Sequence, residues 1–129
     1  MPDLDRPVLD LNHAIIYVDS PERSARFYAQ LLGLQAVEAS PAFALFVFAS
    51  GFKLGLWSRH TVEPAATPVG GSELAFAVDS DAEVDRLHAQ WQRDGLAIIQ
   101  PPLTMDFGYT YTAQDPDGHR LRVYCLHLE

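Results

Sequence analysis

His13-Ala14-Ile15-Ile16-Tyr17-Val18-Asp19-Ser20 is answered 60 residues later by Glu73-Leu74-Ala75-Phe76-Ala77-Val78-Asp79-Ser80. Each stretch alternates as a strand does, sending successive side chains to opposite faces, and then runs through Val-Asp-Ser into a helix start. The two halves also close alike, because Gly51-Phe52-Lys53-Leu54-Gly55-Leu56-Trp57 lies over Gly118-His119-Arg120-Leu121-Arg122-Val123-Tyr124 without a gap. Such a repeat predicts two related modules. Equivalent positions in the two can then converge on a shared cavity, and its chemistry is read from what occupies each of them.

Working outward, Ser20 is placed to cap a helix that begins at Pro21, where a missing N–H has no consequence. Ala25, Tyr28 and Leu32 share one face of that helix, and Gly33 is placed to end it. In the second copy Ser80 and Glu83 have the spacing of a capping box, Val84, Leu87 and Trp91 form the apolar stripe, and Gly95 ends the helix. Three short apolar runs follow each helix and predict strands over 34–38, 42–49 and 52–58, then over 96–100, 108–114 and 120–126. The pattern is β-α-β-β-β, twice. Ser50-Gly51 and Asp115-Pro116-Asp117-Gly118 supply the turns of the last hairpins. Pro101-Pro102 predicts a stiff excursion before the seventh strand. The expected organisation is one domain of two modules, about 10–58 and 72–127, joined by a Pro- and Gly-bearing linker over 59–71.

At 129 residues the chain suits a single domain, whereas modules of about 60 residues are marginal alone. Its 48% hydrophobic and 20% charged residues are those of a packed globular protein. A formal charge of −8 with no Lys/Arg stripe argues against nucleic acid as a partner. No apolar stretch is long enough to span a bilayer and the chain start is unlike a secretory signal, so a cytoplasmic protein without a membrane partner is expected. Its one cysteine, Cys125, excludes an internal disulfide and a cysteine-rich zinc site.

A doubled β-α-β-β-β unit ending in Asp-Pro-Asp-Gly-His resembles the vicinal oxygen chelate superfamily, which includes glyoxalase I, extradiol dioxygenases and bleomycin-binding resistance proteins. The resemblance covers nearly the whole chain. It implies an α+β fold in which the sheets of two modules curl around a cavity with the helices outside, often shared across a homodimer. Within that superfamily, residues 52–58 and the stretch ending "DPDGHRLRVYC" look most like the small phenazine antibiotic-resistance proteins, metal-free binders of a planar aromatic antibiotic.

The resemblance also carries a metal test. Catalytic members hold a divalent metal through side chains on the first and last strands of each module. Here the first-strand positions hold His13 and Glu73, both able to ligate, and the last-strand positions hold Gly55 and Arg122. Glycine has no ligand atom and a guanidinium stays protonated and repels a cation. Two ligands beside a positive charge make a poor metal site, so no metal or other cofactor is expected.

Combined with strand alternation, the resemblance implies that Arg120, Arg122 and Tyr124 face the cavity and that Leu121, Val123 and Cys125 lie under the helices. Arg122 and Glu73 are then expected to meet, either as an internal ion pair or as a clamp for a ligand carboxylate. Lys53, Gly55 and Trp57 share the cavity side of the fourth strand, and Gly55 beside Trp57 suggests a flat space for a stacked ring. Phe46, Tyr111 and Tyr124 join Trp57, Arg122, His13, Glu73 and Gly55 as candidate ligand contacts, although alternation leaves the side faced by Phe46 open. No catalytic residue is assigned. Cys125 reads as buried rather than nucleophilic.

The expected function is metal-independent binding and sequestration of a small planar aromatic compound, with or without a carboxylate, by a homodimer. The alternative is a metal-dependent enzyme of the glyoxalase or dioxygenase type that uses His13, Glu73 and a further ligand. A cationic glycopeptide such as bleomycin suits the acidic chain but not Arg122 in the pocket.

Overall fold

The computed structural model describes residues 9–127. The chain divides into two compact units between Ala65 and Ala66. In the first, β1 (His13–Val18) leads into α1 (Pro21–Leu32), followed by β2 (Glu38–Ala39), β3 (Phe43–Val47) and β4 (Lys53–Ser58). The second repeats this order with β5 (Glu73–Ala77), α2 (Asp81–Arg93), β6 (Ala97–Met105), β7 (Gly108–Gln114) and β8 (Arg120–Leu126). The fold class is α+β, with β-α-β-β-β present twice.

Each unit forms an open four-stranded sheet, ordered β1-β4-β3-β2 and β5-β8-β7-β6. The first and last strands of a unit run parallel side by side, and the remaining pairs are antiparallel. Neither sheet closes on itself, so each keeps two edges and one face clear of its own helix.

Both helices start as the sequence predicts. Ser20 and Ser80 accept from the backbone N–H of Arg23 and Glu83 at 3.2 and 3.1 Å, satisfying one orphan donor each. The Glu83 carboxylate turns to Arg86 instead of back to the cap, at 2.7 and 2.8 Å. Gly33 ends α1 with φ 66°, while α2 closes on Asp94 and Gly95 takes the left-handed conformation one residue later.

Under α1 lie Val18, Ala44, Phe46, Leu54 and Leu56 with Tyr28, and under α2 lie Tyr111, Ala113, Leu121 and Val123 with Val84 and Trp91, all buried. Leu54, Leu56, Leu121, Val123 and Cys125 therefore occupy the helix side that parity assigns them. Burial of such side chains is the main driving force for each layer, at about 1.5–3 kcal/mol per large apolar side chain.

Two strand expectations are corrected. The strand expected over 34–38 is reduced to Glu38–Ala39, because Ser40 Oγ accepts from the Ala42 and Phe43 N–H groups and turns the chain at once into β3. Only Val37 extends the pairing, through its N–H to the Leu45 carbonyl at 2.8 Å. The expected excursion at Pro101-Pro102 is instead part of a continuous nine-residue β6. That strand is a sheet edge, where prolines without N–H groups are tolerated, and register shifts on either side of Gln100 absorb the misfit.

Candidate functional site

Register decides which side chains share the helix-free face of each sheet. Tyr17, Trp57 and Phe43 are cross-strand partners in the first sheet, as are His13 with Lys53 and Gly55 with both Ile15 and Leu45. Trp57 and Phe43 meet edge to face, with centroids 6.1 Å apart and planes at 90°. Such pairs contribute about 0.5–1.5 kcal/mol beyond buried area, and they hold both rings in place.

The space beside Trp57 is not the empty floor that Gly55 suggested. A Cβ at Gly55 would stand 2.9 Å from the Phe43 ring and 3.0 Å from His13 Nε2. The glycine thus lets these two rings converge over the strand. His13 Nε2 is itself buried and has no hydrogen-bond partner among the described residues. Phe43 was not among the sequence candidates, because Phe43-Ala44-Leu45-Phe46 is apolar at every position and its inward face cannot be read from alternation alone.

In the second unit the helix-free face carries Glu73, Arg120, Arg122, Tyr124 and, on the neighbouring strands, Thr110, Thr112 and Gln100. Arg122 donates from Nε to Glu73 Oε1 at 2.6 Å and from Nη2 to Glu73 Oε2 at 3.2 Å. Its Nη1 donates to Gln100 Oε1 at 3.1 Å and to Thr110 Oγ1 at 3.2 Å. Thr112 Oγ1 donates to the same Gln100 oxygen at 2.9 Å, and Thr110 Oγ1 donates to the Val123 carbonyl at 2.8 Å. A guanidinium has five N–H groups, so these four bonds leave one on Nη2. Thr110 and Thr112 are fully buried beneath the network, at 0% and 2% exposure. Tyr124 stands edge to face with Phe107, centroids 6.1 Å apart.

Two expected ligand contacts lie on the opposite faces. Phe46 pairs with Leu54, and Tyr111 pairs with Val123, which places both beneath their helices at 0% exposure. Tyr111 packs edge to face on Trp91 and His88 at 5.3 and 5.2 Å, and its hydroxyl has no hydrogen-bond partner among the described residues. Burial pushes this phenol well above the ordinary tyrosine range. Burial likewise raises the Cys125 thiol, with Asp81 and Asp79 adding to the shift, so the thiolate is disfavoured.

The metal position in this unit does not fit a cation. Both Glu73 oxygens are turned onto Arg122, whose charge would oppose a divalent ion, and no group of three or more His, Cys, Asp or Glu side chains gathers among the described residues. Two histidines without an assigned role have acidic partners instead. His60 Nε2 lies 2.7 Å from Asp19, and His127 Nε2 lies 2.8 Å from Asp81. The hydrogen bond from His60, followed by that from Arg59, holds the Asp19 carboxyl below its usual range. These pairs are solvent-exposed clasps at the helix entries.

Comparison with known proteins agrees with this architecture. The family model of the Glyoxalase/Bleomycin resistance protein/Dioxygenase superfamily matches residues 10–123. The phenazine antibiotic resistance protein EhpR of Enterobacter agglomerans is 31% identical over 126 residues, covering 95% of this chain and 97% of its own. A protein of Agrobacterium tumefaciens with a solution NMR structure is 55% identical, with a TM-score of 0.87 over 94% of this chain and all of that one. A glyoxalase-related enzyme from Fulvimarina pelagi, 23% identical, shares the fold with a TM-score of 0.80 over 92% of this chain and 88% of its own. No helix among the described residues is long and apolar enough to cross a membrane. With its doubled module and a family match that spans most of its length, the chain belongs to the glyoxalase/bleomycin resistance/dioxygenase superfamily.

Proposed function

We propose that the protein binds and sequesters a small planar aromatic compound without a metal, in the manner of a resistance protein acting in the cytoplasm as a homodimer. The observation that carries this reading is the aromatic group on the helix-free face of the first sheet, where Trp57 and Phe43 stand at right angles with Tyr17 as the neighbouring cross-strand partner. Trp57 is half-buried, so one part of its ring system is fixed by Phe43 while the rest is open to a stacked ligand. The His13 imidazole, packed over Gly55 next to Phe43, completes the aromatic group on this face. The 31% identical relative is named for resistance to phenazine antibiotics, which are flat tricyclic compounds, and this supports the choice of ligand class.

In the second unit Glu73 and Arg122 stand at positions where catalytic members carry metal ligands, and they satisfy each other. The pair acts chiefly as an internal brace, with one Nη2 N–H remaining for a polar ligand substituent. Tyr124 adds a further ring to that face. Protection then comes from stoichiometric binding.

Incubating the purified protein with phenazine-1-carboxamide tests this directly. The expected result is saturable binding, chemically unchanged ligand recovered after denaturation, and no stoichiometric metal by elemental analysis of protein prepared without chelator. A converted ligand, or a full equivalent of zinc, nickel, manganese or iron, contradicts the proposal and favours a metal-dependent enzyme.

A further inference from the structure

A cavity of about 410 Å³ opens in the second unit where β5 and β8 begin, between the stretch Val69 to Glu73 on one side and Gly118 and Arg120 on the other. Its charges do not cancel. Arg120 and Glu73 are cross-strand partners, yet both Glu73 oxygens are drawn onto Arg122 at 2.6 and 3.2 Å. Beyond its backbone pairing in the sheet, Arg120 has no side-chain hydrogen bond or ion pair among the described residues. This row therefore carries two guanidiniums against one carboxylate, a local positive excess within a chain of charge −8.

The opposite wall supplies neutral donors. The backbone N–H groups of Gly70, Gly71 and Ser72 donate to no group among the described residues, so they are available to an oxygen ligand. A Cβ built at Gly70, Gly71 or Gly118 meets nothing within 4 Å, and φ values of 147°, 76° and 90° hold these residues in conformations that favour glycine. Gly70, Gly71 and Gly118 thus leave their parts of the lining without side chains. The repeat places a second cation, Lys53, at the position equivalent to Arg120, so a basic residue opening the last strand is a feature of both modules.

We propose that this cavity is a binding site for the carboxylate of a small monoanionic acid, with Arg120 as the forked anchor and the Gly70 to Ser72 amides as the second set of donors. One uncompensated positive charge matches a monoanion. A phosphate dianion would overcompensate it and lie close to Glu73. The site lies in the second unit and Trp57 in the first, and each is read by its own signals.

The full chain, labelled with nitrogen-15, is titrated with benzoate, benzamide and inorganic phosphate while the amide resonances of Gly70, Gly71 and Ser72 are followed. Benzoate is expected to shift them saturably, and benzamide and phosphate are expected to leave them in place. Arg120→Gln is expected to weaken the benzoate response about tenfold or more, and Arg120→Lys by less, because lysine keeps the charge and loses the fork. Arg120 is exposed, so both variants should retain the dispersed wild-type spectrum. Equal shifts with benzamide, a benzoate response that survives Arg120→Gln, or a phosphate response as strong as that of benzoate would overturn the assignment. A neutral phenazine is titrated in parallel to judge binding at Trp57, so this site and the proposed function fail separately.

Discussion

Arg122 and Glu73 are joined by two hydrogen bonds that run diagonally across neighbouring strands, because the cross-strand partner of Arg122 is Ala75 and that of Glu73 is Arg120. The diagonal lets the guanidinium lie along the sheet, where Gln100 and Thr110 complete its contacts. A carboxylate able to ligate a cation is here one half of an internal ion pair.

If that pair is a brace, removing either partner should destabilise the second unit. Arg122→Gln and Glu73→Gln are each expected to lower unfolding free energy by about 1–2 kcal/mol, a modest range because Glu73 is one-third exposed and solvent screens the charges. The double variant should lose less than the sum of the singles, with a coupling energy of about 1 kcal/mol in urea unfolding. Strict additivity would show that the two residues do not act on each other.

Gly55 provides room for two rings, so its replacement tests the aromatic group without touching Trp57. In Gly55→Ala the new methyl must displace Phe43 and His13 from contacts of 2.9 to 3.1 Å. Both are side-chain rings at a half-buried surface and can yield, so the expected stability loss is about 1 kcal/mol. Affinity for a phenazine should fall at the same time. Unchanged binding would mean that the placement of Phe43 and His13 over the strand is irrelevant to the ligand.

The buried Tyr111 hydroxyl makes a prediction for alkaline pH. Its folded-state titration is raised by burial, so the folded chain holds this proton more tightly than the unfolded one. Stability is then fully present below the unfolded phenol range of about 10 and declines as pH rises through it. Tyr111→Phe should stabilise the protein by about 1 kcal/mol near neutrality, because a hydroxyl without a partner is removed. It should also flatten the decline above pH ~10, leaving the part due to Tyr109, whose phenol is raised by its hydrogen bond to Asp85. A variant less stable than wild type, with the same alkaline slope, would contradict this placement.

The repeat made most of the fold legible, since alternation in β8 and β4 assigns Leu121, Val123, Leu54 and Leu56 to the helix side, where burial places them. It also foretells the meeting of Arg122 with Glu73. Phe46 and Tyr111 were harder, because a strand that is apolar or aromatic at consecutive positions has no period to read, and only register with Leu54 and Val123 settles their side. The rings over Gly55 escaped prediction for another reason. A glycine in a strand signals a close approach without saying whether a ligand or the protein's own side chains make it. The course of β6 through Pro101-Pro102 depends on its being an edge, a property of the whole sheet that no local stretch carries.

Stacking of a flat ligand on Trp57 is tested by isothermal calorimetry of phenazine-1-carboxamide with wild type and Trp57→Ala. Wild type should bind with a saturable exothermic signal, and Trp57→Ala should lose at least about tenfold in affinity, about 1.4 kcal/mol, while keeping its unfolding midpoint within a few degrees. Equal affinity in a folded Trp57→Ala protein, or no binding by wild type, would mean that no flat ligand stacks on Trp57.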